Sequence, residues 1–173
     1  MSAAGPQPAD DSADDQAGGP GRAGDDPGFV PPSFQVPTAL TAGALRLEPL
    51  GPQHNEADYA AWTGSVEHIR ATPGFAGRNW PDPGMTLEQN LADMQMHADH
   101  FARRQGFTYT VLDAATGEVI GCVYIYPADR PGRDARVRSW VRADHAARDA
   151  ELRLAVRDWL TVAWPFRAVD YDR

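Results

Sequence analysis

The 173 residues suffice for one domain with a tail and are too few for two ordinary domains, and an apolar share of 42% allows a real core. The formal net charge is −8, of which residues 1–28, with six Asp and one Arg, hold about −5; the remainder is mildly acidic and offers no basic stripe for nucleic acid. All 16 basic residues are Arg, which excludes a Schiff-base or P-loop lysine, and the single Cys122 excludes an internal disulfide and a cysteine zinc site.

Residues 1–28 are almost wholly Ala, Gly, Pro, Asp, Ser and Gln. They lack the apolar content to offset ordering entropy, so a disordered acidic tail is expected, without the charged-then-apolar pattern of a signal peptide. Residues 29–44 read as an extended, Pro-rich arm: Phe29 to Pro37 combines three Pro with two Phe and two Val, stiff enough to extend and apolar enough to lie on a domain. Leu45 to Leu50 (LRLEPL) alternates apolar and polar, a short strand. A first helix is expected from Asn55, with Tyr59, Trp62, Val66 and Ile69 on one face, and Thr72 to Gly84 is a Pro/Gly loop.

Thr86 and Gln89 have capping-box spacing. The helix they open carries Leu87, Leu91, Met94, Ala98 and Phe101 as its expected inward stripe, with Gly106 as its stop. Phe107–Asp113 and Glu118–Pro127 form a hairpin about Ala114-Ala115-Thr116-Gly117, and Ala135–Arg142 a further strand. A last helix opens at Arg148 or Asp149, turns Leu152, Val156, Trp159, Leu160 and Ala163 inward and ends at Pro165; Ala168–Tyr171 is a final strand. The order β-α-α-β-β-β-α-β implies an α+β domain with a mixed, mainly antiparallel sheet flanked by helices. No apolar run approaches the eighteen or so residues of a membrane span, so a cytoplasmic protein without membrane or nucleic-acid partners is expected.

In this order, LRLEPL (Leu45 to Leu50), TGEVIGCVYIYP (Thr116 to Pro127), SWVRADHA (Ser139 to Ala146) and ELRLAVRDWL (Glu151 to Leu160) resemble the GNAT superfamily, and within it the ribosomal-protein N-acetyltransferases. The resemblance covers residues 45–173. It implies an acyl-CoA-dependent N-acyltransferase that moves an acetyl group from acetyl-CoA to an amine of a small molecule or a protein N-terminus. In that family a Gly-rich turn aims backbone N–H groups at the CoA pyrophosphate, ahead of a helix N-terminus. The matching positions here make Val141, Arg142, Ala143, Ala147 and Arg148 the expected cofactor-binding residues. The stretch Asp144 to Ala150 contains no Gly, and Arg148 is the cation expected to compensate. The family continues past its fifth strand into a helix that often carries a Tyr general acid; this sequence ends at Arg173. A second reading therefore stands beside the first: a degenerate GNAT fold that binds a small ligand or a protein without transfer.

The same resemblance places the acceptor site between the first two helices and the central strands. Trp80, Tyr124 and Tyr126 are the expected substrate-binding residues, whereas Trp62, at helical spacing, is expected in the core. His145, past the fourth strand, is the candidate acid–base residue, against the alternative of a solvated loop histidine. Asp93, His97 and His100 have metal-like spacing, but His97 lies about 80° from the inward stripe and the other two about 120–140° round, so they are expected on the solvated side and no metal is expected. Cys122 reads as a small buried hydrophobe. Arg136, Arg138 and Arg142 share a strand face that is either solvent-exposed or aimed at an anion. The open side of Ala168–Tyr171 calls for cover, either from the arm Phe29–Pro37 of the same molecule or from a second copy across a twofold axis, and a homodimer is the expectation.

Overall fold

The computed structural model describes residues 28–171, so the expected acidic tail lies almost wholly outside the described residues. The chain forms β1 (Leu40–Ala42), β2 (Leu45–Pro49), α1 (Asn55–Thr63), α2 (Val66–Ala71), α3 (Leu87–Ala102), β3 (Phe107–Asp113), β4 (Val119–Pro127), β5 (Ala135–Val141), α4 (Asp149–Ala163) and β6 (Val169–Tyr171). The six strands lie side by side in sequence order. Every neighbouring pair is antiparallel except β5 and β6, which run parallel. This is the expected α+β order with two additions.

The first addition is β1, which turns at Gly43-Ala44 and pairs with β2. The second is a break in the first helix. Gly64 and Ser65 both favour other conformations over the helix interior, and α1 ends there before α2 begins.

On one face of the sheet, Leu45, Leu47, Tyr109, Ile125 and Val137 pack against Leu152, Val156 and Trp159 of α4. The arm completes this face: Val30 is buried, Phe29 stacks on Phe107 and Phe166, and Phe34 packs on Trp164. Tyr109 donates its hydroxyl hydrogen to the Pro37 carbonyl, and Arg104 donates to the carbonyls of Pro31 and Phe34. Arg104 is also where α3 stops. Its φ of 61° and the bonds from Arg104 N to Phe101 O and from Gln105 N to His100 O make a Schellman cap. The expected stop at Gly106 is thus displaced by two residues. Gly106 is required for another reason, since a Cβ there would overlap the Tyr126 ring.

The opposite face carries α1, α2 and α3. Trp62, Ile69, Phe75, Met94, Cys122 and Trp140 form its core, so Trp62 and Cys122 sit where expected. Gly121 lies beneath the Trp140 carbonyl so closely that any side chain would strike backbone. The inward side of α3 differs from the expected stripe. Asn90 and Met94 are buried and His97 turns toward the sheet, whereas Leu87 is 39% exposed. The helix is rotated because its polar residues find partners inside. The arginine face of β5 is not solvated either: Arg138 is only 5% exposed and Arg136 pairs with Asp129 at 3.5 Å.

Candidate functional site

Two places answer to the expected site. The first is a small cavity of about 20 Å³ among α1, α3, the Trp80 loop and β4, lined by Asp58, Trp80, Asn90, Asp93, Met94, Met96, His97 and Tyr124. That volume admits one water-sized group. Asn55, Asp58 and Trp62 follow one another at i, i+3 and i+7, so α1 presents all three to α3. Asn90 ties them together. It donates from Nδ2 to Asp58 at 3.2 Å and to Asn55 Oδ1 at 2.9 Å, and it accepts from Trp62 Nε1 at 3.0 Å.

Asp58 is 3% exposed and accepts a hydrogen bond from the neutral amide of Asn90. Burial pushes its carboxyl up to about 7, against the partial relief of the Asn90 hydrogen bond and with a further push from Asp93. A carboxyl in that range exchanges a proton at neutral pH. Around it stand aromatic faces: the Trp80 ring lies 6.1 Å from Trp62, 5.6 Å from Phe75, 6.3 Å from Tyr124 and 6.0 Å from Trp140. Tyr124 is held by the Trp140 indole N–H, which donates to its hydroxyl. An acid poised near neutrality beside aromatic faces suits a protonated amine.

His97 forms the inner end. Burial, with the neighbouring His100, lowers its pKa to about 3, so its ring is neutral at physiological pH. Its Nδ1 lies 2.8 Å from the Tyr126 hydroxyl and 3.0 Å from Thr108 Oγ1, and the same hydroxyl lies 3.0 Å from His100 Nδ1. Both histidines therefore turn inward, contrary to the solvated placement expected of them. Of the three expected substrate residues, the structure brings Trp80 and Tyr124 into the cavity wall and sets Tyr126 one layer behind, positioning His97. Asp58, Asn90 and His97 are the residues that sequence reasoning missed. Helical spacing sets them beside core-facing residues, but spacing alone does not separate a buried polar side chain from a solvent-facing one.

The second place is the β5–α4 junction. A groove of about 520 Å³ runs from Ala57, Ala60, Ala61, Gly64 and Ser65 to Glu118, Val119, Arg142, Ala143 and Asp144. β6 pairs only with Ala135, Arg136 and Val137, so the upper half of β5 is open toward it among the described residues. The Arg142 N–H donates to Ile120 O at 2.8 Å, and alternation along the strand turns the Val141 N–H to that open side. The Ala143 N–H already donates to Ser65 Oγ at 2.9 Å.

Beyond Ala143 the chain's own carboxylates hold the ground. Arg142 grips Asp144 and Glu118 at 2.7 and 2.8 Å. Arg142 first, then His145, hold the Asp144 carboxyl down to about 2. His145, the expected acid–base residue, stands 2.9 Å from Asp144 in this turn and not among the residues lining the cavity. Arg148 donates to Asp113 at 3.2 Å and to the Ala44 carbonyl at 3.4 Å. Asp149 and Glu151 occupy the first turn of α4, the former on Arg153 at 3.0 Å and the latter accepting from Ala44 N at 3.3 Å. Ala147, just before Arg148, is exposed. At this helix N-terminus the cations are already engaged and the first turn is acidic, so a pyrophosphate seated there has to displace pairs that the chain makes with itself. The open Val141 N–H does fit a carbonyl oxygen.

No family model matches the sequence, and no curated protein sequence matches it. Solved structures do. A ribosomal-protein-S5-alanine acetyltransferase from Vibrio fischeri superposes with a TM-score of 0.55 at 14% identity, over 70% of this chain and 66% of that one. RimL, a ribosomal L7/L12 α-N-protein acetyltransferase in complex with coenzyme A, gives 0.56 at 13%, over 71% and 66%. The microcin C7 self-immunity acetyltransferase MccE, in complex with acetyl-CoA and AMP, gives 0.54 at 11%, over 75% and 71%. The chain thus spans about 66% of the length of the first two. It has the fold of the GNAT acetyltransferases, and ribosomal-protein acetyltransferases are among its structural neighbours.

Proposed function

We propose that this chain is an N-acyltransferase of the cytoplasm that seats a primary amine, from a small molecule or a peptide N-terminus, in the Asp58 cavity, with acetyl-CoA as acyl donor. The observation that carries this reading is the cavity itself: a buried carboxyl poised near neutrality, with Trp80 and Tyr124 beside it and a neutral His97 behind. A protonated amine entering there meets an anionic Asp58 and the faces of two rings. Asp58 then takes the ammonium proton onto its carboxylate, leaving a neutral nucleophile, while Asn90 keeps the carboxyl oriented. Trp80, Tyr124 and the buried wall exclude bulk water from the amine. Acetyl-CoA would supply the acyl carbon and the departing thiolate; the Val141 N–H, on the open side of β5, is the chain's own contribution there, next to Arg142 and Ala143 of the groove wall.

A second reading, amine binding without transfer, is favoured by the acidic, glycine-free turn at the α4 N-terminus and by the engagement of Arg148 with Asp113. One pair of measurements separates the two. Calorimetric titration with acetyl-CoA and with free CoA is expected to show binding, and thiol release from acetyl-CoA is expected to depend on added primary amine and to fall at least tenfold in Asp58→Asn. Amine binding without any heat from either CoA species would establish the second reading and exclude the first. The absence of both would exclude the cavity as an acceptor site.

A further inference from the structure

A second large groove, of about 550 Å³, lies on the far side of the molecule between α4 and β6. Its walls include Arg133, Arg157, Arg167, Phe166 and Tyr171, and one acid, Asp170. That acid is already paired with Arg130 at 3.0 Å. Arg157 lies over the Tyr171 ring, 5.5 Å from its centre, which fixes its guanidinium at the groove wall. Arg133 and Arg167 are exposed beside it. In a chain of net charge −8 this is a concentrated positive surface. Among the described residues β6, along the same groove, is the last strand of the sheet and pairs on one side only, with β5.

The chain enters the described structure at this groove. Phe29 stacks 5.2 Å from Phe166, itself a groove residue. Residues 1–27 carry six Asp against the single Arg22. Asp25 and Asp26 stand four and three residues from Phe29, within about 14 Å at the reach of an extended chain. Asp10 to Asp15 have length enough to cross the groove. The segment holds few apolar residues, but an electrostatic contact needs none.

We propose that the acidic segment 1–27 seats in the Arg133–Arg157–Arg167 groove of its own molecule, pairing its aspartates with the three guanidinium groups and covering the open side of β6. Arg offers the planar fork that suits carboxylates, and the short tether raises the local concentration of the segment.

The test uses the full chain carrying a nitroxide at Ser12→Cys; the one native thiol, Cys122, is buried and does not compete for the label. Amide signals of residues 157–171 are expected to lose intensity at low salt. The loss should disappear at 1 M salt, where the screening length falls to about 3 Å, and in the exposed double variant Arg133→Ala with Arg167→Ala. Signals unaffected at low salt would overturn the proposal, as would a loss that survives both 1 M salt and the double variant. Intensity lost only when spin-labelled and isotope-labelled chains are mixed would assign the groove to a second copy and likewise overturn the seat within one molecule.

Discussion

The two faces of the sheet are built on opposite principles. Toward α4, Leu45, Leu47, Ile125 and Val137 meet Leu152, Val156 and Trp159, and nearly every contact is apolar or aromatic. Toward α1 and α3, the same strands present Thr108, Thr110, Tyr124, Tyr126 and Arg138, and the helices answer with Asp58, Asn90 and His97. The first face gains free energy from every side chain that leaves water. The second must satisfy each polar group it buries, and Asp58 it satisfies only in part, with a neutral amide. A fold accepts such a conflict where it does chemistry. One face holds the protein together, and the other carries the conflict on which the proposed acceptor site rests.

The largest break in that contrast would come from Trp159, whose ring lies 5.0 Å from Tyr109 and 5.4 Å from Trp164. Trp159→Ala is expected to cost about 3–5 kcal/mol, read from the denaturant midpoint. A cost below about 1 kcal/mol would show that the α4 face is not the stabilising one.

Asp58 should behave in the reverse manner. Its folded pKa, about 7, lies above the usual carboxylate value, so the folded state holds a proton that the unfolded state has released. Wild-type stability should therefore be highest, as far as this group is concerned, below about pH 4, and decline as pH rises through 7. Asp58→Asn keeps an acceptor for Asn90, so it should match the wild type near pH 4 and exceed it at pH 8. Equal pH slopes for the two proteins, in denaturant titrations across that range, would remove Asp58 as the strained group.

Arg104 offers a smaller effect. Arg104→Ala loses the clamp on Pro31 and Phe34 but keeps the left-handed backbone, and should cost about 1–2 kcal/mol in denaturant titration. Arg104→Gly loses the same clamp and relieves the backbone, so it should cost about 1 kcal/mol less than the alanine variant. Smallest of all is Val162, 86% exposed on the outer side of α4. Val162→Asp should shift stability by no more than about 0.5 kcal/mol, within the scatter of thermal melts.

The α4 face was legible in the sequence because hydrophobic periodicity reports apolar packing: Leu152, Val156, Trp159 and Leu160 face inward as their spacing demanded. The capping box at Thr86 and the hairpin turn at Ala114 to Gly117 were legible for the same local reason. The α1–α3 face was not. On α3 the leucines suggested one orientation, and the hydrogen bonds of Asn90 and His97 impose another. Those partners lie 11 to 35 residues away in the chain and on other elements, where no periodicity can indicate them. Trp80 and Tyr124 could be named because bulky aromatics near a Pro/Gly loop and on a strand limit the choices; Asp58 could not, since an acid on a helix reads as solvent-facing until its neighbours are known. Arg138 shows the same failure on a strand: alternation gave its face correctly, and only tertiary contact shows that face to be covered.

The arm has a consequence for how the protein fails. Pro31, Pro32 and Pro37 have no N–H, and the arm joins no ladder between Phe29 and Pro37. It is fastened by side chains, across sequence separations of 70 to 73 residues. Such a segment forms late and can lift as a unit while the sheet keeps every strand pair. When it lifts, Phe107, Trp164 and Phe166 lose their cover together. Concentrated samples should then clump at temperatures where the helices and strands are still intact, so that storage lifetime follows the opening of this strap and not the global unfolding free energy.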